Sequence, residues 1–264
     1  GERMATVHEL CRDLAEEHDV LDSLVVDLPE KDWAKTTPAA GWDVRDSLSH
    51  LCYFDETAAL AASDPAAFEI HRRELHEAFR TRNEPDTALG RSIADPRKLL
   101  DRWRRARWAY IEAISTVDPK TRVPWYRLAM SPASLTTARI METWAHGTDI
   151  RDALGVPTVP TARLRHVCHI GYSARAYAFA AHTVDDSGDA VRLSVRAPDG
   201  IDWLWGPEDA VNQIAGDALE VALIFTQRRH YRRTSVKATG PVAERWLSIA
   251  QAFAGPGTTA SPDR

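Results

Sequence analysis

The sequence predicts a mainly α protein: an up-down four-helix bundle followed by a small α+β domain on its C-terminal side. Three observations carry this. Four long segments repeat apolar residues at helical spacing, each bounded by proline, glycine or aspartate. After Asp185, Asp186, Ser187 and Gly188 the texture changes, and apolar and polar residues alternate as in a strand. A chain of 264 residues, 44% of them apolar, can hold one large domain or two small ones.

The first helix is expected over residues 5–28, where Val7, Leu10, Leu14, Leu21, Leu24 and Leu28 form one stripe. His18 lies on that stripe, as a hydrogen-bonded core histidine or as a group behind a pocket. A loop from Trp33 to Trp42 precedes Asp43, an N-cap with Asp46 in the first turn. The second helix covers residues 44–62 and buries Val44, Leu48, Leu51, Phe54 and Ala58, with His50 beside them. Asp64 and Pro65 mark a break, residues 70–79 a short helix with His71 and His76 on its surface, and Asn83 to Asp86 with Gly90 a loop. A long connection of this kind often folds over the mouth of a site. Asp95 caps the third helix, with Pro96 at its first position. Leu99, Trp103, Tyr110, Ile114 and Val117 line one side of it, and Arg102, Arg104, Arg105 and Arg107 the other. Those arginines either attract an anion or are simply solvated. After a loop with Trp125 and Tyr126, Ser131 and Pro132 open the fourth helix, which Gly155, Pro157 and Pro160 end.

A further helix is expected over residues 161–183, then a hairpin from Val191 to Trp205 around Pro198, Asp199 and Gly200. A strand over 210–214, a helix over 217–229, a strand over 235–239 and a helix over 241–253 complete the small domain. The expected division is a bundle over 5–160, a connecting helix and linker over 161–187, an α+β domain over 188–254 and a flexible tail over 255–264.

A net charge of −5 argues against a nucleic-acid binder. No apolar run approaches the ~18 residues of a membrane span. The N-terminal Gly1 to Met4 lacks the apolar run of a signal peptide, and Met4 reads as the natural start. Three widely spaced cysteines, Cys11, Cys52 and Cys168, fit a reducing cytoplasm and core filling. The nine tryptophans read first as core. No nucleophile elbow, phosphate loop or dinucleotide fingerprint is present.

The informative stretch is residues 139–155. With Glu142 at zero and about 100° per residue, His146 falls about 40° to one side and Asp149 about 20° to the other. Leu135 and Ala138 share the stripe, so an apolar face continues as Glu, His and Asp. Charges on a core-facing stripe are costly unless paired or bound to a metal. Glu and His at i, i+4 can point at one ion, and His50 offers a third donor from another helix. Two histidines and one carboxylate suit zinc first, and equally iron(II), nickel or manganese. The same spacing also arises as a self-paired or solvated helical turn.

Two segments match helices of a known kind. The segment GWDVRDSLSHL at residues 41–51 resembles the second helix of the DinB-like fold, in which a histidine binds metal. The segment ETWAHGTDIRDALG at 142–155 is similar to the fourth helix of the mycothiol-dependent maleylpyruvate isomerase family. The resemblance covers residues 5–254, is closest to an actinobacterial branch described as metal-binding proteins, and includes the small C-terminal domain. It implies a His-Glu-His metal triad at His50, Glu142 and His146. Many DinB-like proteins use three histidines, and Glu142 moves this chain toward the isomerases. The segment ending TQRRH at 226–230 resembles a helix whose arginine helps bind substrate, so Arg228 or Arg229 is implied.

The resemblance thus implies a metal-dependent enzyme of the cytoplasm, an isomerase or S-transferase that uses a low-molecular-weight thiol, mycothiol in that family. A metal-bound thiol would attack a small electrophile, and Arg228 or Arg229 would hold a carboxylate on it. Asp149 would orient His146, or else pair with Arg151 or another arginine. Three alternatives stay open: a thiol-independent hydrolase, lyase or cyclase on the same metal; a non-catalytic metal or ligand carrier; and a structural pairing of Glu142 and His146 with arginines. Expected partners are the small-molecule substrate and the thiol, with no membrane or nucleic acid, in a monomer or homodimer.

Overall fold

The computed structural model describes residues 3–82 and 95–264; the loop expected at Asn83 to Asp86 and Gly90 lies outside them. The chain divides into two compact units, Gly1–Pro157 and Thr158–Arg264. Together they are mainly helical, with one small sheet in the second unit. Among the described residues no helix is long and apolar enough to cross a membrane.

The first unit is a helix bundle of α1 (Val7–Val25), α2 (Val44–Ser63), α4 (Pro96–Ile114) and α5 (Pro132–Leu154). Between α2 and α4 runs a further helix, α3 (Pro65–Arg82). Each start is chemically marked. Asp43 and Asp46 form a reciprocal capping box at α2, Asp95 caps α4 ahead of Pro96, and Ser131 accepts from Ser134 N at α5. Gly155 ends α5 in the left-handed region, with the Val156 N–H bonding back to Arg151 O. The α3 helix is longer than the sequence suggested. The expected break at Asp64 and Pro65 is there, but it is only one residue long, because the two are also a cap and a first-turn proline, as at α4: Asp64 Oδ1 accepts from Ala67 N.

Two apolar layers fill the bundle. One holds Leu14, Ala58, Tyr110, Leu135 and Ile140; the other holds Leu21, Leu48, Leu51, Trp103 and Ile150. Between them, on the same helices, lie the groups that interrupt the stripes: His18, Asp55, Arg107, Arg139, Glu142, His146 and Asp149. A polar belt therefore crosses the bundle at mid-height. His18 is buried edge-on against Trp103, a core histidine as expected, with no hydrogen bond at its Nε2. On the arginine face of α4, three of the four arginines are paired. Arg104 and Arg107 both hold Asp22, and Arg102 holds Glu56.

The second unit begins with α6 (Leu164–Ser173) and α7 (Arg175–Ala181), where one helix was expected; the ladder breaks at Ala174, and nothing in the sequence marks it. Strands β1 (Val191–Arg196), β2 (Asp202–Trp205), β3 (Asn212–Asp217) and β4 (Lys237–Thr239) form a sheet in the order β2-β1-β3-β4. The expected hairpin pairs Leu193 with Trp205 and Val195 with Trp203. The β1–β3 pair is parallel, and β4 closes antiparallel on β3. Helices α8 (Ala218–Phe225) and α9 (Pro241–Ile249) complete the unit. Asn212 Oδ1 caps α9 by accepting from Val242 N and Ala243 N.

Leu164, Val167, Ile170, Ala174 and Tyr177 share one face of the helix expected over 161–183, but the buried face of α6 is Leu164, Val167, Cys168 and Gly171. The reason is Phe225, whose ring lies where a side chain on Gly171 would be. Gly171→Ala should therefore cost about 1–3 kcal/mol through overpacking, read as a lower midpoint in urea unfolding. An unchanged midpoint would mean that the contact relaxes freely. The last ten residues, expected to fray, carry hydrogen bonds: Thr258 O accepts from Gln227 Nε2, and Arg264 O from His230 N.

Candidate metal centre

Three donors meet in the polar belt of the first unit. The capping box fixes where α2 starts, and His50 follows two turns later. Glu142 and His146 project from successive turns of α5. One ligand atom from each of His50, Glu142 and His146 lies within 4.8 Å of the others, and all three residues are half-buried. His146 Nε2 stands 3.2 Å from Glu142 Oε2, and the two imidazole centroids are 4.7 Å apart.

These distances fit a small ion. Donors at ~2.0–2.2 Å around a tetrahedral metal lie roughly 3.3–3.5 Å from each other. The Glu–His edge is already at that length, and His50 needs only a small approach. The donor set contains no competing cation: Arg139, one turn before Glu142, is bonded to Asp55 instead. Burial pushes the Glu142 carboxyl up. The hydrogen bond and charge of His146, with Arg139 and His50, outweigh it and hold the carboxyl at about 2. Glu142 is therefore a carboxylate across the physiological range, as a metal ligand must be.

Aromatic rings wall the site. Trp42 stacks on His146 at 6.1 Å and meets His50 edge-on at 5.0 Å. Phe54, one turn along α2, meets His50 at 4.8 Å. Behind the site, Asp55 accepts from Arg139 Nε at 3.0 Å and from Trp103 Nε1 at 3.2 Å, all buried.

The other expected site residues stand as follows. Asp149 is fully buried, with Oδ2 3.8 Å from His146 Nδ1, beyond hydrogen-bond length. Arg228 and Arg229 belong to the second unit, past the end of α8 rather than on it. That helix stops early because Gln227 takes the left-handed conformation, and its side chain bonds to Ala250 O and Thr258 O. Arg228 Nη1 donates to Thr226 O, while Arg229 lines a cleft with His230, Tyr231 and Ser248. All three cysteines are buried, and burial pushes each thiol up, as expected for core filler.

Sequence reasoning missed two groups near the site. His71, read as a surface histidine, is half-buried on α3, 3.0 Å from Tyr126 Oη and 3.5 Å from Tyr53 Oη. The Asp55–Arg139 pair was missed as well, although both interrupt apolar stripes and that signal was readable.

Known proteins share this geometry's framework. Residues 14–151, more than half of the chain, match the model of the mycothiol maleylpyruvate isomerase N-terminal domain. The chain belongs to that family. Within this isomerase-family domain fall all three donors, Asp149 and the Asp55–Arg139 pair, while Arg228 and Arg229 fall outside it. Two relatives, uncharacterized proteins from two strains of Mycobacterium tuberculosis, are each 40% identical over 96% of this chain and 98% of their own length. The fold is that of the mycothiol-dependent maleylpyruvate isomerase. One crystal structure of that enzyme aligns with a TM-score of 0.59 at 13% identity, over 90% of this chain and 96% of the other. A point mutant of it aligns at 0.60 and 12%, over 88% and 93%.

Proposed function

We propose that this isomerase-family protein is a metal-dependent enzyme of the cytoplasm that uses a low-molecular-weight thiol, mycothiol in the first instance. The reaction is isomerisation of, or S-transfer to, a small electrophile. The observation that carries the reading is the meeting of His50, Glu142 and His146 in a half-buried, aromatic-walled site. These three residues would hold one divalent transition ion, zinc first, with nickel, iron or manganese suited to the same donors. A metal held there would supply Lewis acidity, favouring the thiolate form of a thiol.

The chain's own residues do the rest. Glu142 brings the negative charge that favours a dication over a proton. The Asp55–Arg139 pair holds α2 and α5 together behind the donors. Trp42 and Phe54 limit water at the site and present flat apolar faces to a ligand. Asp149, 3.8 Å from His146 Nδ1, would accept its proton after a ring rotation and so fix the tautomer that offers Nε2 to the ion. Arg228 and Arg229 are the candidates to hold a carboxylate of the electrophile.

The test is turnover of a panel of small unsaturated acids by metal-loaded protein, with and without mycothiol. Turnover with the thiol should fall to the uncatalysed background without it. Turnover that persists undiminished without thiol would replace this reading with a hydrolase, lyase or cyclase on the same metal.

A further inference from the structure

One carboxylate on an electrophile needs one arginine, and the second unit offers two neighbours, Arg228 and Arg229. Their side chains part. Arg228 Nη1 turns back to Thr226 O at 2.8 Å, whereas Arg229 lines a cleft of about 250 Å³ built wholly from the second unit. Among the described residues the Arg229 guanidinium makes no hydrogen bond or ion pair.

The walls of this cleft are held in place. Gln227, which lines it, is one of two non-glycine residues with positive φ among the described residues, at 57°. Such a conformation persists where the surroundings hold it, and it gathers at binding sites. Here Gln227 Nε2 donates to Ala250 O, just past α9, and to Thr258 O in the final segment, while its Oε1 accepts from Thr258 Oγ1. His182 Nε2 stands 2.7 Å from the same Thr258 carbonyl. The final segment is thereby fixed beside the cleft, where it contributes Thr259. Helix α9 contributes Ser248, and the turn after α8 contributes Arg229, His230 and Tyr231.

The charge at the cleft is positive. No carboxylate lines it among the described residues, and residues 228–233 hold four arginines and one histidine in a chain of net charge −5. Helices α8 and α9 both end near it, and their carbonyl ends bring roughly half a negative charge each. The arginines of the turn outweigh that. Arg232 lies over the Tyr231 ring at 5.5 Å and His230 stacks on it at 4.7 Å, which fixes the ring. The donors left to a ligand are the Arg229 fork and the hydroxyls of Tyr231 and Thr259, from two separate segments. A carboxylate offers them two oxygens; a phosphate monoester offers three, with more charge. The volume is below the ~300–1,000 Å³ that encloses a drug-sized molecule, so the cleft suits a small ligand. Ile224 and Leu247 add apolar surface for the carbon that carries the phosphate.

We propose that this cleft binds the phosphate group of a small phosphate monoester, with Arg229 as the charged anchor and the Tyr231 and Thr259 hydroxyls as neutral donors. The site is independent of the metal-dependent reading, and it leaves Arg228 as the candidate for the electrophile's carboxylate.

The test is titration calorimetry of the full chain at low salt, with and without zinc, using phenyl phosphate and benzoate as probes. Phenyl phosphate should bind once per chain, equally with and without zinc, and about 10-fold tighter than benzoate. Arg229→Gln should weaken it about 10–100-fold, the range for a lost charge-assisted hydrogen bond. Tyr231→Phe should weaken it roughly 5–10-fold at an unchanged Tm. Arg105→Gln, at an exposed arginine of α4, should change nothing. Equal losses in Arg105→Gln and Arg229→Gln would make the attraction diffuse and overturn the site. So would absence of binding, or a benzoate affinity equal to that of phenyl phosphate. Binding that requires zinc would place the phosphate on the metal instead. Displacement of phenyl phosphate by an unsaturated acid that the protein turns over would make the cleft the electrophile's own, and the separate site would fall while the metal-dependent reading stands.

Discussion

His146→Ala should leave the protein unable to keep a metal that the wild type holds at one equivalent. Purified without a histidine tag, dialysed against trace zinc and measured by elemental mass spectrometry, the variant should show roughly 100-fold weaker retention or worse, since even a residue behind a ligand is worth 10–100-fold. Glu142→Gln should do nearly as much, because it keeps the shape and removes the charge that favours a dication. Neither change should unfold the bundle. His146 and Glu142 are half-buried beside Trp42, outside the two apolar layers that fill the core. Circular dichroism of the metal-free variants should therefore match that of the metal-free wild type. Full metal retention by both variants would rule out the triad as the metal site, and with it the thiol chemistry built on it.

The legible part of the site and fold was the part written in local chemistry. Asp43, Asp95 and Ser131 start helices because their side chains satisfy free N–H groups, and Gly155 stops one because it alone accepts φ > 0 cheaply. Glu142 and His146 stood out because they interrupt an apolar stripe at the spacing that aims two side chains at one point. What was not legible depends on partners far apart in sequence. Gln227 ends α8 in a conformation that glycine usually takes, and its side chain is held there by bonds to Ala250 and Thr258. The buried face of α6 is set by Phe225, more than fifty residues on. His71 looked like a surface residue because its partners, Tyr53 and Tyr126, sit on other segments. Asp64 does break the chain between α2 and α3, but the next helix starts at once at Pro65 rather than near residue 70, because an aspartate before a proline is also a helix start.

The second large effect concerns the pair behind the donors. Asp55 is completely buried and Arg139 nearly so, and Asp55 accepts from both Arg139 Nε and Trp103 Nε1. Removing one partner strands the other. Asp55→Ala should cost about 3–5 kcal/mol in urea unfolding, because a buried guanidinium and an indole N–H lose their acceptor together. Arg139→Met should cost a similar amount near neutral pH, but with a pH dependence that Asp55→Ala lacks. Burial pushes the Asp55 carboxyl up, and the Arg139 charge and the hydrogen bonds from Arg139 and Trp103 pull it back. Without Arg139 the folded-state pKa rises further above the unfolded value, so the native state binds the extra proton. Stability of Arg139→Met should then increase as pH falls toward the folded pKa of Asp55, narrowing its gap to wild type. The double variant Asp55→Leu, Arg139→Met should recover most of the loss, since two apolar side chains leave no stranded charge. If the double variant is as unstable as the worse single one, the belt owes its stability to shape rather than to charge pairing. If it recovers stability but takes up metal poorly, Arg139 is needed for the charge it sets beside Glu142, one turn along the same helix, and the pair is there for the site rather than for the bundle.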